Sequence, residues 1–362
     1  MTLHDDLETL RAIGVRKKRV KARLLATHPA WLRSGSWWIE GPYARRAGEH
    51  LPESLHDAIR GIWTRPRVRE AADRALPPWH ARVPAAANGE ARRADCAIAY
   101  LSNGGRWKLF DVKAAHVWTA VRDHATAARE VAVLAPFRPF FDIPESRIER
   151  HADGDWRCDG YLEGRSLAHV PASARIDAVR TLLRQFAALG RASAQPPDPM
   201  LTRAAVNTIR AIAPASLPAA IVATHGDELE QLGAALPLAP AHGDLSAQNV
   251  VVCGARPWVI DWDGAGAARP LLADVLYLVV REAALGRPDL LRAFLAGEFD
   301  AGVSEALAAT PLAASAPARM VLLAHGYIVR FHLQRVAGMR DATGPNVDGL
   351  WSRLRPFCNG FA

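Results

Sequence analysis

The stretch His242-Gly243-Asp244-Leu245-Ser246-Ala247-Gln248-Asn249 runs straight into Val250-Val251-Val252-Cys253. It turns at Gly254-Ala255-Arg256-Pro257 and returns through Trp258-Val259-Ile260 to Asp261-Trp262-Asp263. Two short β-branched runs joined by a Gly- and Pro-bearing turn read as a hairpin. Such a hairpin carries Asp261 back beside the loop that holds Asp244 and Asn249. Two carboxylates and an amide oxygen are therefore expected to converge.

Phosphoryl transfer demands a set of this kind. It needs one carboxylate to orient an attacking hydroxyl and accept its proton, and oxygen ligands to hold Mg²⁺ against a triphosphate. Asp-x4-Asn places a carboxylate and an amide at the two ends of one short loop, and the hairpin supplies the other acid.

HGDLSAQNVVV followed by VIDWD resembles the catalytic core of aminoglycoside phosphotransferases and choline kinase-like enzymes. These share the protein-kinase fold, in which the corresponding pattern is HRDLxxxN followed by DFG. The resemblance implies Asp244 as catalytic base and Asn249 and Asp261 as Mg²⁺ ligands. His242 would brace the loop, Asp263 could assist at the metal, and Asp274 in LLADVLYL would open the following helix. The resemblance covers roughly residues 96–290.

The upstream half is expected to supply the nucleotide grip. CAIAYL (Cys96–Leu101), the turn Ser102-Asn103-Gly104-Gly105 and the alternating RWKLFDVK (Arg106–Lys113) read as strand, tight turn, strand. On the resemblance, Lys113 at the end of that strand holds the phosphates, and Glu130, 17 residues later in a helix over His124–Leu134, orients it. Lysine is scarce, with five in the chain against forty arginines, so a lysine here points to a need for a compact ammonium. Ser102, Asn103 and Gly104 would cover the phosphates. Tyr161, Leu162 and Glu163, in DGYLEGRSL, would meet the nucleotide base.

The expected architecture is α+β: a bilobal protein-kinase-like fold with a small β-rich N-lobe and a mainly helical C-lobe. The N-lobe would span 96–163, with a second hairpin about Asp153-Gly154-Asp155, and the C-lobe 164–362. From Pro171 the pattern is helical, with Ile176, Val179, Leu182, Leu183, Phe186 and Leu189 at a helix period. Residues 1–95, rich in Trp, Arg and Pro, read as a basic N-terminal extension. Their Lys+Arg against Asp+Glu count is 18 to 11, against 13 to 11 for 96–189 and 14 to 15 for 190–362. Almost the whole net charge of +8 thus lies in the first quarter, densest at Arg16–Arg23.

Half the residues are hydrophobic and 23% charged, an ordinary globular composition. No apolar run is long enough to cross a bilayer, and the acidic start lacks the pattern of a signal peptide, so a cytoplasmic location is expected. The four cysteines form no CxxC pair. A Walker A motif is absent, which argues against a P-loop kinase. The function expected is an ATP-dependent O-kinase (GTP being the other donor) acting on an aminoglycoside, amino alcohol or sugar hydroxyl. The alternatives are a lipopolysaccharide or capsular glycan kinase and a non-catalytic pseudokinase. Nucleic acid is not expected as a partner, because no aromatic-studded basic strand or recognition helix accompanies the basic run. A peripheral contact of Arg16–Arg23 with an anionic surface is the other partner expected.

Overall fold

The structure is a computed structural model that describes residues 21, 25, 30–40, 43–49, 79–85, 93–101, 106–121, 123–212, 217–307 and 315–336. Two compact units divide the chain, one of residues 1–132 and 144–165 and one of residues 133–143 and 166–362.

The first unit is built on one eight-stranded antiparallel sheet. Its strands are β1 (Gly35–Glu40), β2 (Tyr43–Arg46), β3 (Trp79–Val83), β4 (Ile98–Leu101), β5 (Trp107–Asp111), β6 (His116–Val121), β7 (Ser146–His151) and β8 (Gly154–Gly160). They lie in the order β3-β1-β2-β4-β5-β6-β8-β7. The helix α1 (His124–Ala132) connects β6 to β7 and packs on the β6, β7 and β8 end.

The expected boundary near residue 95 is not one in this structure. β1, β2 and β3 belong to the same sheet as β4, and Tyr43 sits opposite Tyr100. Trp31, fully buried, stacks on Trp156 with ring centroids 4.1 Å apart and donates its indole N–H to Asp153 at 2.8 Å. Two of the tryptophans before residue 95, Trp31 and Trp37, are core residues of the first unit. They bury large aromatic faces from short segments, where pattern is weak.

The second hairpin forms about Asp153 as expected, with His151 opposite Gly154. β5, by contrast, stops at Asp111. That side chain accepts from the N–H of Ala114 and of Asp95, each at 3.0 Å, and Ala115 takes a left-handed φ of 56°. An Asx turn of this kind ends a strand, because the carboxylate offers the backbone a partner in place of the ladder.

The second unit is mainly helical. It contains α2 (Ala172–Ser193), α3 (Pro199–Ile212), α4 (Leu217–Ala235), α5 (Ala273–Ala284), α6 (Asp289–Leu295), α7 (Asp300–Ala306) and α8 (Ala316–Val336). Val179, Leu182, Leu183, Phe186 and Leu189 of α2 are buried as their spacing predicts. The proline-rich stretch after α2 holds helix as well, since Pro199 opens α3, where a missing N–H costs nothing. α4 is kinked at His225. The short strand β9 (Arg165–Ser166) follows β8, and further short strands pair as β10 (Leu238–Pro240) with β13 (Ala268–Pro270), and β11 (Val250–Cys253) with β12 (Arg256–Val259). Within the core, α8 packs on α3, α4 and α5.

Candidate active site

The loop between β10 and β11 is held from several sides. His242, fully buried, lies against Trp262 with ring centroids 4.6 Å apart. Its Nε2 is 2.9 Å from the carbonyl of Ile260, so that nitrogen carries the proton and donates. Nδ1 is then the acceptor, and takes the Asp244 N–H at 3.2 Å. One imidazole thus ties the start of the loop to the end of the hairpin.

Gly243 has φ +84°, and a Cβ built there would stand 2.1 Å from the carbonyl oxygen of Gly264. Only glycine satisfies both the left-handed backbone and the close approach. Its N–H donates to the buried carboxylate of Asp274 at 3.1 Å, and its carbonyl accepts from Arg269 at 3.1 Å. Asp274 stands in the first turn of α5, the helix-opening position implied by the resemblance, and its carboxylate is committed to the loop. Farther along, the Ser166 hydroxyl donates to the carbonyl of Ala247 at 2.8 Å.

Asn249 and Asp261 are brought together by the hairpin. The ladder pairs Val250 with Val259, and the Ile260 N–H continues it by donating to the Asn249 carbonyl at 2.9 Å. Asn249 donates its side-chain N–H to the Asp244 carbonyl at 2.8 Å, which leaves its amide oxygen available as an acceptor. Asp261 adopts φ +64°, a conformation that costs a non-glycine residue energy and recurs at functional sites. Among the described residues no three His, Cys, Asp or Glu side chains cluster as a metal cage. Mg²⁺ needs none, since it takes one or two protein oxygens and completes its shell with phosphate and water. An amide oxygen and a carboxylate on adjoining chain segments fit that requirement.

Asp244 keeps 47% of its side chain exposed, and its Oδ1 accepts from Arg330 Nη2 at 2.9 Å. Partial burial pushes its carboxyl above the usual carboxylate range. Arg330, then Arg281 and His242, pull it down, and Asp261 adds to the rise. The net displacement is upward, the direction that makes a carboxylate a better proton acceptor. Asp263 is exposed.

The upstream residues are placed differently from expectation. Lys113 lies in the turn between β5 and β6 and is exposed, because the Asx turn at Asp111 ends the strand two residues early. Glu130 is in α1 as expected, but its carboxylate is held by Arg106 and by Arg157, the latter at 2.9 Å. The expected Lys113–Glu130 pair is replaced by a two-arginine clamp. Arg157 stands opposite Thr119 in the ladder, on the strand that leads to Tyr161. Tyr161, Leu162 and Glu163 form irregular backbone just past β8, and the Tyr161 N–H donates to Ala115 at 2.8 Å. Ser102, Asn103 and Gly104 lie outside the described residues, as does most of Arg16–Arg23.

Sequence reasoning missed the arginines around Asp244. Arg330 is 2% exposed inside an apolar helix run, and that interruption was the available signal. Arg269 and Arg281 carried none.

Five strands in the order β4-β5-β6-β8-β7, with one helix after the third, precede a helical unit that carries the loop and hairpin. The fold is protein-kinase-like. No family model matches the chain, and no curated protein does. Among solved structures it is similar to a glucosamine kinase in complex with glucosamine, ADP and inorganic phosphate: 16% identity, TM-score 0.43, covering 75% of this chain and 78% of that one. It is also similar to a choline/ethanolamine kinase family protein from Mesorhizobium loti, at 17% identity and TM-score 0.44, covering 70% and 85%. A thermostable mutant of an aminoglycoside phosphotransferase, in ternary complex with ADP and hygromycin B, matches at 16% identity and TM-score 0.42, covering 71% and 89%. No helix among the described residues is long and apolar enough to cross a membrane.

Proposed function

We propose that the protein is a phosphotransferase that moves the γ-phosphoryl group of a nucleoside triphosphate, ATP in the first instance, onto an alcohol. The observation that carries this reading is the 2.9 Å bond from Ile260 N–H to the Asn249 carbonyl. With the His242 bridge, it sets Asp261, Asn249 and Asp244 on adjoining pieces of one braced loop and hairpin.

In this reading the Asp244 carboxylate receives the hydroxyl of the acceptor and takes its proton. A bond forms between the acceptor oxygen and the γ-phosphorus, and the bond from that phosphorus to the leaving diphosphate oxygen breaks. The electron pair leaves with the diphosphate. Asn249 through its amide oxygen and Asp261 through its carboxylate would hold Mg²⁺, which supplies charge neutralisation at the phosphates when bound. His242 and Asp274 fix the loop so that Asp244 is presented without reorganisation.

One observation favours the second reading, a nucleotide-binding module without catalysis: Lys113 is exposed in a turn and Glu130 is clamped by arginines. Incubation with Mg²⁺ and γ-labelled ATP, with a panel of amino alcohols, amino sugars, aminoglycosides and sugar acids, decides between them. Labelled acceptor that disappears in Asp244→Asn supports the phosphotransferase. Saturable Mg-ATP binding with no transfer to any acceptor or to water supports the binding module.

A further inference from the structure

Two arginines of the second unit engage the Asp244 loop, and a third stands on an adjoining helix face. Arg330 bonds its carboxylate, Arg269 bonds the carbonyl of the preceding residue, and Arg281 stands on the helix face whose Tyr277 ring lies under the Arg330 guanidinium. They come from α8, β13 and α5, elements held together by the core of that unit. Two of the three are already engaged. The guanidinium of Arg281 has no hydrogen-bond or ion-pair partner among the described residues, although the residue is partly buried.

Arg281 follows Tyr277 by four positions on α5, so the two share a helix face. The Tyr277 ring is covered by the Arg330 guanidinium, 5.3 Å from its centroid, and stacks on Tyr327 at 6.3 Å. Asp274, earlier on the same face, is committed to the Gly243 N–H. Glu282, the acid next to Arg281, is tied by both oxygens to Arg287 at 2.5 and 3.1 Å. The wall beside the base therefore presents one uncommitted fork of N–H donors. Its aromatic face is occupied by a cation, and its acids are spent.

A cationic acceptor would need the reverse arrangement, an open aromatic face or uncommitted carboxylates. A partly buried guanidinium without an anion partner matches a carboxylate or phosphate bidentately. Resting on the phosphotransferase reading above, we infer that the acceptor carries an anionic group, a carboxylate or a phosphate ester, which Arg281 binds while the hydroxyl of the same molecule faces Asp244. The acceptor class is a hydroxy acid or a phosphorylated alcohol rather than an amine.

The anion bound by Arg281 could also be a phosphate of the nucleotide, and inorganic sulfate separates the two. Sulfate is titrated calorimetrically into the full chain at constant ionic strength, with and without saturating Mg²⁺ and a non-hydrolysable ATP analogue. The expected result is saturable sulfate binding that persists with nucleotide present. It should weaken about tenfold or more in Arg281→Gln, remain partly in Arg281→Lys, and be unchanged in Arg184→Gln, which alters an exposed helix face. Nucleotide affinity should be equal in all four proteins, which also shows that the variants are folded. Sulfate binding that is absent, indifferent to Arg281→Gln, or abolished by the nucleotide overturns the inference.

Paired acceptors differing only in the anion, glycerate against glycerol and gluconate against glucose, test it in turnover. Preference for the neutral member, or phosphorylation of amines alone, sinks the inference while leaving the phosphotransferase intact. Arg281-dependent sulfate binding in a protein that takes up no Mg-nucleotide sinks the phosphotransferase reading while leaving the anion site intact.

Discussion

Arg330 and Asp244 meet at 2.9 Å across 86 residues of chain, the guanidinium buried and the carboxylate half open. The arginine holds one oxygen of the carboxylate and leaves the other for the hydroxyl of the proposed reaction. Asp244→Asn should remove proton acceptance while preserving shape. Turnover should fall by a factor of about a thousand or more, within the range for a lost general base. Affinity for Mg-nucleotide should stay within about twofold. Steady-state kinetics and nucleotide titration on the same preparation check both halves, and near wild-type turnover would show that Asp244 is not the base.

Asp261→Asn should behave differently. Loss of a charged oxygen ligand should raise the Mg²⁺ concentration for half-maximal nucleotide binding by about tenfold, together with the loss of turnover. Binding measured across a Mg²⁺ series reads this directly. An unchanged Mg²⁺ dependence removes Asp261 from the metal site.

His242→Ala is expected to act through stability. It deletes both imidazole hydrogen bonds, leaves the Ile260 carbonyl and Asp244 N–H unpaired, and opens a gap beside Trp262. The cost should be about 3 kcal/mol. Denaturant unfolding quantifies it, and a loss of activity without a loss of stability would contradict the bracing role.

His325 gives the chain an acid-sensitive point. It is 1% exposed, Nε2 shares a 2.9 Å hydrogen bond with Thr202, and Nδ1 has no partner. Burial lowers its pKa to about 4. Between that value and the unfolded value near 6.5, the unfolded chain binds more protons. This contribution to stability is therefore complete above about pH 6.5 and is lost as pH falls toward 4, by up to roughly 3 kcal/mol. Melting temperature should drop more steeply from pH 7 to 4.5 in the wild type than in His325→Gln, and parallel curves would refute the assignment.

Some of this was legible in the sequence because the signal was local. Loop, hairpin and the proposed metal ligands follow one another within 22 residues, from His242 to Asp263, with β-branched runs on either side of a turn. α2 could be read from its period. The strand end at Asp111 could not, because an Asx turn depends on which backbone N–H the carboxylate reaches, and one of its two partners is sixteen residues upstream. That single turn moved Lys113 off its expected place. Trp31 and Trp37 gave no readable core signal for a related reason. Their burial is decided by partners such as Trp156, far along the chain, and short edge-ward strands show too few alternations to read. The arginines about Asp244 converge from three elements that only the tertiary fold places side by side.

The hairpin between Asn249 and Asp261 has only four ladder pairs. A segment this small can open by itself well below the melting point of the helical core. Such an opening would separate the two proposed metal ligands without unfolding anything else. The amides of Val250–Cys253 and Ile260 should then exchange with solvent as one cooperative group, faster than those of α8, and slow together when Mg-nucleotide is added. On heating, catalytic competence would disappear before helicity does, because a four-pair hairpin sets the thermal limit of the chemistry.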